Sequence, residues 1–231
     1  PLFYSMNIVI NGVTDLRKKP DTKSERISQL IYGESFEIIE NLGEFTLIKS
    51  EDGVLGYVKS TTIGEGDKRK YKIKDRYRAK NKIFPFGSYL SDEDVEMYGI
   101  PNRYIVEIEK TSEILNYAKK ALGVPYLWGG TSDFGYDCSG LVQRLFKFSK
   151  NLVLPRNSKD QMKASKTVDD FSSAVKGDLI FFKGHVAIYM GRGKIIHANG
   201  TYSSVTINNL FDGSKYSNYL KTIFIKIGRF E

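Results

Sequence analysis

Three side chains of this sequence have the types and the order that thiol-based catalysis requires. Among its 231 residues there are one cysteine and two histidines: Cys138, His185 and His197. A cysteine attacks a carbonyl carbon as its thiolate, and an imidazole can remove the thiol proton and later give a proton to a leaving amine. A second imidazole can hold the first in the correct tautomer. The set therefore predicts a cysteine nucleophile with a histidine base.

The local sequence around Cys138 favours a reactive thiol. Asp137 is a good helix N-cap, which would place Cys138 in the first turn of a helix. The positive end of the helix dipole and a nearby imidazolium would then lower the pKa of the thiol. The small residues Ser139 and Gly140 would let a substrate backbone approach closely. The alternative is a buried, inert cysteine, which is the common fate of a lone one.

The two histidines also have alternative interpretations. A lone histidine is often a structural residue whose hydrogen bonds are satisfied inside the protein. Cys138, His185 and His197 could instead bind zinc, but the intervals of 46 and 11 residues between them match no compact ligand pattern. A single cysteine also excludes an internal disulfide framework and a multi-cysteine zinc site.

The second half of the chain shows helical patterns first and strand patterns afterwards. Over 112–122, apolar residues ending with Leu122 share one helical face, and Gly123 ends the helix. A second helix is predicted to begin near Cys138. This order predicts an α+β domain with helices packed on an antiparallel sheet. Strands are predicted at 178–182, 185–190, 194–198, 204–207 and 223–227.

The first half of the chain has the pattern of small β modules. Between 7 and 63, turn signals such as Asn11-Gly12 separate short apolar stretches every 8–12 residues, as in a small barrel. Residues 66–110 contain a basic segment and further strand-like stretches, which predict a second module. Hydrophobic residues make up 41% of the chain, which supports packed cores, and no window approaches 18 apolar residues, so no membrane span is predicted.

The net charge is concentrated in one stretch of this first half. The whole sequence carries +8, whereas residues 67–82 carry a net of +7. Every even position from 68 to 82 is basic, so an extended strand would place eight cations along one face. Such a row predicts contact with an anionic polymer, and the alternative is a solvated edge strand or linker. The eight cations are Lys68, Lys70, Lys72, Lys74, Arg76, Arg78, Lys80 and Lys82.

Six sequence blocks over 112–227 resemble the NlpC-type, papain-like cell-wall peptidases. Their order and spacing hold across about half of the chain. The blocks are Tyr126-Leu127-Trp128-Gly129-Gly130, Asp137-Cys138-Ser139-Gly140-Leu141-Val142, Leu154-Pro155-Arg156-Asn157-Ser158 with Gln161, Lys176-Gly177-Asp178-Leu179-Ile180-Phe181-Phe182, Gly184-His185-Val186-Ala187-Ile188-Tyr189 and Ile195-Ile196-His197-Ala198.

The segment in front of these blocks resembles a bacterial SH3 domain. The similar pieces include Leu16-Arg17, the stretch 33–38 and Gly56-Tyr57-Val58, although the family usually has tryptophan where this chain has Phe45 and Tyr57. The two resemblances imply an SH3-like domain over 1–65, a degenerate second SH3-like module over 66–110 and a papain-like peptidase domain over 111–231.

The resemblance also implies roles for single residues. Cys138 would be the nucleophile, His185 the base and His197 the orienting third residue. Binding of the substrate or of the oxyanion would involve Tyr126, Asp137, Ser139, Trp128 and Arg156. Two of these have structural alternatives: simple core packing for Trp128 and a structural ion pair for Arg156.

The reaction implied by the resemblance is hydrolysis of an amide in peptidoglycan stem peptides or muropeptides, typically between γ-D-glutamate and an L-diamino acid. No metal or organic cofactor would be needed. The alternatives are a non-enzymatic wall-binding module and a related thiol amidase or acyl transferase. Nucleic acid is not expected as a partner, and anionic wall polymer is a secondary one. No secretion leader is recognised, so the compartment stays open: a location outside the cell or in the periplasm is favoured, and peptide recycling in the cytoplasm is the alternative.

Overall fold

The computed structural model describes residues 5–230 and divides the chain into two compact units. The first, called here the N-terminal unit, runs up to residue 111 and includes the separate segment 128–134. The second, called the C-terminal unit, contains 112–127 and the residues from 135 onward. Each unit is described by itself.

The N-terminal unit begins with a five-stranded antiparallel sheet in the order β3-β2-β6-β5-β4 and a two-stranded pair of β1 with β7. Its core consists of fully buried side chains that include Val9, Leu16, Ile48 and Val58. The regular turn spacing of the sequence is therefore matched by short paired strands. They are β1 (Met6–Val9), β2 (Val13–Arg17), β3 (Arg26–Ile31), β4 (Phe36–Asn41), β5 (Phe45–Ser50), β6 (Leu55–Lys59) and β7 (Ile63–Gly66).

Residues 71–107 form a second cluster of elements with its own core around Ile73, Phe84 and Leu90. Ser91 caps the only α-helix of this cluster through a reciprocal capping box with Asp94, because each side chain bonds the backbone N–H of the other. The sheet order here is β11-β8-β12, beside a β9–β10 hairpin. The elements are β8 (Tyr71–Ile73), β9 (Tyr77–Ala79), β10 (Lys82–Phe84), β11 (Tyr89–Leu90), α1 (Asp92–Tyr98) and β12 (Ile105–Glu107).

The predicted row of eight cations along one strand face is wrong. Residues 68–82 do not form one extended strand, since β8 ends at Ile73 and Lys80 turns the chain with φ of 51°. Lys72 is fully buried, and its ammonium group donates to the carbonyl of Lys110 at 3.2 Å. Burial lowers the pKa of Lys72 to about 8.

Several other cations of this stretch are occupied by contacts within the N-terminal unit. Lys70 pairs with Asp92, and Arg76 pairs with Asp133 at 2.9 Å. The ammonium group of Lys82 donates to the carbonyl of Ile10 at 3.1 Å. These groups hold neighbouring segments together, which explains why a pattern read from charge alone did not describe their positions.

The segment 128–134 packs within the N-terminal unit, although the sequence placed it in the peptidase domain. It contains a two-residue strand, β13 (Thr131–Ser132). The side chain of Gln29 accepts from the Ser132 hydroxyl at 3.0 Å and from the Thr131 N–H at 3.2 Å. Gly129 has φ of 75°, and a Cβ there would lie 2.4 Å from the carbonyl oxygen of Arg26. Glycine is therefore required by both the backbone conformation and the close approach.

The C-terminal unit is a helix-and-sheet domain with a six-stranded antiparallel sheet in the order β15-β20-β16-β17-β18-β19. The predicted α+β organisation is confirmed. Its elements are α2 (Ile114–Ala118), β14 (Gly135–Tyr136), α3 (Cys138–Lys150), α4 (Ser158–Ala164), β15 (Lys166–Val168), β16 (Leu179–Phe182), β17 (His185–Gly191), β18 (Lys194–Asn199), β19 (Ser204–Asn209), α5 (Lys215–Thr222) and β20 (Phe224–Arg229).

Helix α3 packs against β17 and β18 and buries Leu141, Val142 and Leu145. Leu122, expected on the inward face of the first helix, is 43% exposed, because that helix ends at Ala118 and continues only as a 3-10 turn. At 13 residues, α3 is too short to cross a bilayer, and within residues 5–230 no other helix is long and apolar enough to do so.

Replacement of Gly33 by alanine should destabilise the N-terminal unit strongly. Gly33 has φ of 77°, and a Cβ there would meet the carbonyl oxygen of Tyr89 at 2.0 Å. Gly53 is the matched control, because it has φ of 83° but no neighbour within 4 Å. Gly53→Ala should cost about 1 kcal/mol, the strain of the left-handed conformation, and Gly33→Ala at least about 2 kcal/mol more.

Urea unfolding followed by tryptophan fluorescence measures both variants, since the only tryptophan of the chain, Trp128, lies in the N-terminal unit. Equal losses for the two variants would show that the close approach to Tyr89 does not constrain Gly33.

Candidate active site

The single cysteine is the first residue of a helix whose start is fixed by a side-chain cap. Asp137 precedes α3, and its carboxylate accepts from the backbone N–H of Gly140 at 2.7 Å. An aspartate at this position satisfies one of the N–H groups that a helix start leaves unpaired. Cys138 is therefore held at the N-terminus of α3, as the sequence predicted, and its side chain is buried.

The buried guanidinium group of Arg156 stabilises the start of α3 through contacts with Asp137 and Ser139. Arg156 is 5% exposed and pairs with Asp137, and its Nη1 also donates to the hydroxyl of Ser139 at 3.0 Å. Gln161 adds a further bond, from its Nε2 to the carbonyl of Ser139 at 3.1 Å. Asp137, Ser139 and Arg156 are thus brought together, and the structure places Arg156 in the ion pair that was its structural alternative.

Both histidines lie on adjacent strands and contact each other. Nε2 of His185, the first residue of β17, is 2.7 Å from Nδ1 of His197 on β18. Nε2 of His197 is 2.9 Å from the side-chain oxygen of Asn208 on β19. The ring of Phe182 stacks on His185 with centroids 5.8 Å apart. The imidazoles are therefore fixed in both position and orientation.

The backbone of β17 reaches the sulfur of Cys138. The N–H of Val186, next to His185, hydrogen-bonds the sulfur, as does the N–H of Ser139, and both contacts lower the pKa of the thiol. The N-terminus of α3 and the first residues of β17 are thus brought together, and this contact joins the nucleophile to the strand that carries the predicted base.

Burial acts on the thiol in the direction opposite to the sequence-based expectation. Loss of water, followed by the negative charge of Asp137, raises the pKa of Cys138 to about 11. Burial also lowers the pKa of His185 to about 3 and that of His197 to about 4. The thiol and both imidazoles are therefore neutral at pH 7 in the free protein, rather than an ion pair.

Tyr126 lies close enough to the thiol to feel its charge. Burial, and then the charges of Cys138 and Asp137, raise the pKa of Tyr126 to about 12. Its hydroxyl therefore stays protonated at neutral pH and can donate a hydrogen bond. Trp128, by contrast, lies in the N-terminal unit, where it is 65% exposed and its indole N–H donates to Glu25 at 3.3 Å. The pocket-wall role of Trp128 stays a prediction.

Sequence reasoning missed Asn208, which continues the chain of hydrogen bonds beyond the two histidines. Strand alternation places Asn208 on the same face as Thr206, and Thr206 pairs directly with His197. That relation requires the β18–β19 register, which no local pattern supplies. Within the part of the chain that the structure describes, no group of three or more His, Cys, Asp or Glu side chains is arranged to hold a metal ion.

Alkylation of Cys138 in the free protein should accelerate as the pH rises from 7 to 10. The expected reason is the raised pKa of the buried thiol, since only the thiolate reacts with iodoacetamide. Mass spectrometry follows the reaction directly, because the chain has one cysteine. An unstructured peptide with the same Cys138 flanks is the control, with a midpoint near the ordinary value of about 8.5. A rate that is already maximal at pH 6 would contradict the neutral pair.

The C-terminal unit should lose stability as the pH falls from 7 to 5. Burial lowers the pKa of His197 from 6.5 to about 4, so the unfolded state binds the proton first and acid favours unfolding. His197 is 1% exposed, and its lowered pKa should reduce the free energy of unfolding by about 2 kcal/mol between pH 7 and pH 5. Unfolding of this unit in urea is measured by the reaction of Cys138 with 4,4′-dithiodipyridine, because the thiol is buried in the folded protein. His197→Gln should show a shallower decline, and an equal slope would contradict the assignment.

Two segments of the chain match known protein families. Residues 123–224 match the NlpC/P60 family, and residues 12–64 match the bacterial SH3 domain. A solved structure described as an NlpC/P60 family protein from Bacillus cereus ATCC 10987 superposes with a TM-score of 0.77 at 18% identity, covering 96% of this chain and 99% of that one. That likeness shows a common fold.

Curated relatives match part of the chain. A γ-D-glutamyl-L-lysine dipeptidyl-peptidase of Bacillus cereus is 43% identical over 103 residues, which are 41% of this chain and 30% of the relative. The protein of the same name from Bacillus subtilis is 46% identical over 99 residues, or 38% and 32% of the two chains. The match thus spans about a third of the length of these relatives. The chain therefore contains an NlpC/P60 domain over residues 123–224, preceded by a bacterial SH3 domain over residues 12–64.

Proposed function

We propose that this protein is a cysteine endopeptidase that hydrolyses peptidoglycan stem peptides at the bond between γ-D-glutamate and an L-diamino acid. The observation that carries the proposal is the connection of Cys138 to two coupled imidazoles. The Val186 N–H contacts the sulfur, His185 directly precedes Val186, and Nε2 of His185 bonds His197. Nδ1 of His185 is then the ring nitrogen left for the thiol proton.

The substrate class is taken from the relatives. Two of them, both from Bacillus species, are named for the γ-D-glutamyl-L-lysine bond and share 43% and 46% identity with this chain over 103 and 99 residues. Cys138, His185 and His197 all lie within the segment that matches the NlpC/P60 family. Peptidoglycan stem peptides and muropeptides are therefore the proposed partners.

Acylation begins when Nδ1 of His185 takes the proton from Cys138 Sγ. The sulfur electron pair forms a bond to the γ-glutamyl carbonyl carbon, and the C=O π electrons move to the oxygen. The backbone N–H of Cys138 and the hydroxyl of Tyr126 are the proposed donors to this oxyanion. Tyr126 suits that role because burial raises its pKa to about 12 and keeps the hydroxyl protonated.

Collapse of the tetrahedral intermediate breaks the C–N bond, and the protonated His185 gives its proton to the departing amine of the diamino acid. His197 stabilises the imidazolium through its 2.7 Å bond to His185. Water then attacks the thioester while His185 accepts its proton, the C–S bond breaks, and the thiol is restored. No step needs a metal or an organic cofactor.

Asp137, Ser139 and Arg156 have a supporting role in this proposal. Arg156 is occupied by Asp137 and Ser139, so its charge fixes the start of α3 and thereby the sulfur. Direct contact of Asp137 or Ser139 with the substrate amine or carboxylate stays a prediction.

We propose three functional parts: an SH3-like domain over 1–65, a second module over 66–110 and the peptidase domain over 111–231. Contact with an anionic wall polymer is a secondary part of the proposal. It would rest on the exposed Lys68 and Arg78, and binding would weaken as the ionic strength rises.

Incubation of the full chain with L-Ala-γ-D-Glu-L-Lys should release free lysine, detected by mass spectrometry. The same tripeptide with an α-linked glutamate is the control substrate and should stay intact. Cys138→Ala should abolish release, because the acyl-enzyme cannot form. His197→Ala should retain more activity than His185→Ala, because His197 acts only through the base.

Two outcomes would replace the proposal. Absence of cleavage by protein whose thiol titrates as reduced would favour the non-enzymatic wall-binding module. A product cut at a different amide would favour a related thiol amidase or acyl transferase, and the product mass identifies the bond.

A further inference from the structure

A chain of hydrogen bonds on β18 and β19 leads from a backbone N–H to the two histidines. The N–H of Tyr202 donates to Oδ1 of Asn199 at 2.9 Å, and Nδ2 of Asn199 donates to the hydroxyl of Thr206 at 2.8 Å. The Thr206 hydroxyl donates to Oδ1 of Asn208 at 2.9 Å. Asn208 is the next contact of His197, at 2.9 Å from Nε2.

The direction of these bonds follows from the first of them. A backbone N–H can only donate, so the atom of Asn199 that faces Tyr202 is its oxygen, and the atom that faces Thr206 is its NH₂ group. Thr206 receives that hydrogen bond and is left with its own proton to give. The acceptor for this proton is the carboxamide of Asn208, which therefore presents its oxygen rather than its NH₂ group.

The orientation of Asn208 then fixes the protons of both imidazoles. Its oxygen accepts from Nε2–H of His197, so the neutral ring of His197 has its lone pair on Nδ1. That lone pair accepts from Nε2–H of His185, and the neutral ring of His185 has its lone pair on Nδ1. A reversed Asn208 would donate to His197 and invert both tautomers, which would leave a proton on Nδ1 of His185 and no base for the thiol.

We propose that Asn208, oriented by Thr206 and Asn199, is a positioning residue that selects the base-competent tautomer of His185 through His197. The assignment rests on the proposed function only where it concerns catalysis, since the tautomers themselves exist without substrate. Asn208 contacts no reacting atom, and its effect passes through two intervening hydrogen bonds.

The chain suits a direct test, because its two histidines give four imidazole nitrogens in all. The full chain is labelled with ¹⁵N-histidine, and long-range ¹H–¹⁵N correlation spectra at pH 7 assign the tautomers. Both rings should carry their proton on Nε2. Asn208→Leu should give mixed tautomers, and kcat for the tripeptide should fall at least about tenfold with KM changed less than about twofold.

Three further variants separate this role from a general loss of structure. Asn208→Asp keeps an acceptor for both donors, so it should keep the Nε2–H tautomers and more of kcat than Asn208→Leu. Thr206→Val removes the proton that orients Asn208, together with the acceptor for Nδ2 of Asn199, and it should also give mixed tautomers. Asn209→Asp is the control for the negative charge that Asn208→Asp introduces. It keeps the acceptor for the Phe211 N–H, and residue 209 lies on the opposite face of β19 from Asn208, so the spectra and kcat should not change.

A proton on Nδ1 of either histidine in the unmodified chain would overturn the proposal. Unchanged tautomers and unchanged kcat in a folded Asn208→Leu variant would overturn it as well. Nε2–H tautomers that depend on Asn208, in a protein that cleaves no peptide, would support the tautomer selection and reject the endopeptidase function.

Discussion

The 2.7 Å hydrogen bond between His185 and His197 sets requirements that the rest of the C-terminal unit meets. Two imidazoles at this distance cannot both be charged, and each needs a partner for its second nitrogen. Adjacent strands of the antiparallel sheet supply the spacing, and β19 supplies the acceptor for His197. The N-terminus of α3 brings the thiol to the same strand. Because the thiol and both imidazoles are buried, the resting site is neutral. Catalysis then requires that the thiol proton move to His185 as the bond from sulfur to the carbonyl carbon forms.

The parts of the site that were predictable from sequence depend on local chemistry. Asp137 is a good helix N-cap, and Cys138 is indeed the first residue of α3. Apolar alternation likewise predicted the strands that carry His185 and His197, to within one or two residues at most ends. Caps and alternation are properties of neighbours in the chain, so they can be read without the fold.

The parts that were missed depend on contacts between distant residues. Asn208 meets His197 only because β18 and β19 pair in one register, and Gln161 reaches Ser139 from a helix that the sequence did not predict. The prediction of one row of cations over residues 68–82 was wrong for a related reason. Its alternation is real, but the carboxylates and carbonyls that receive Lys70, Lys72 and Lys82 lie 22 to 72 residues away in the chain. Tertiary partners decided the conformation there, and charge pattern did not.

The buried ammonium group of Lys72 contributes to the pH dependence of the N-terminal unit. Burial lowers its pKa to about 8, whereas an unfolded chain keeps the ordinary value of 10.5. Between these values the unfolded state holds more protons than the folded state, so unfolding becomes less favourable as the pH rises. The histidines of the C-terminal unit respond in the same direction at lower pH, because their neutral forms are the buried ones. Protonation of each of these three buried groups therefore favours unfolding of the unit that contains it.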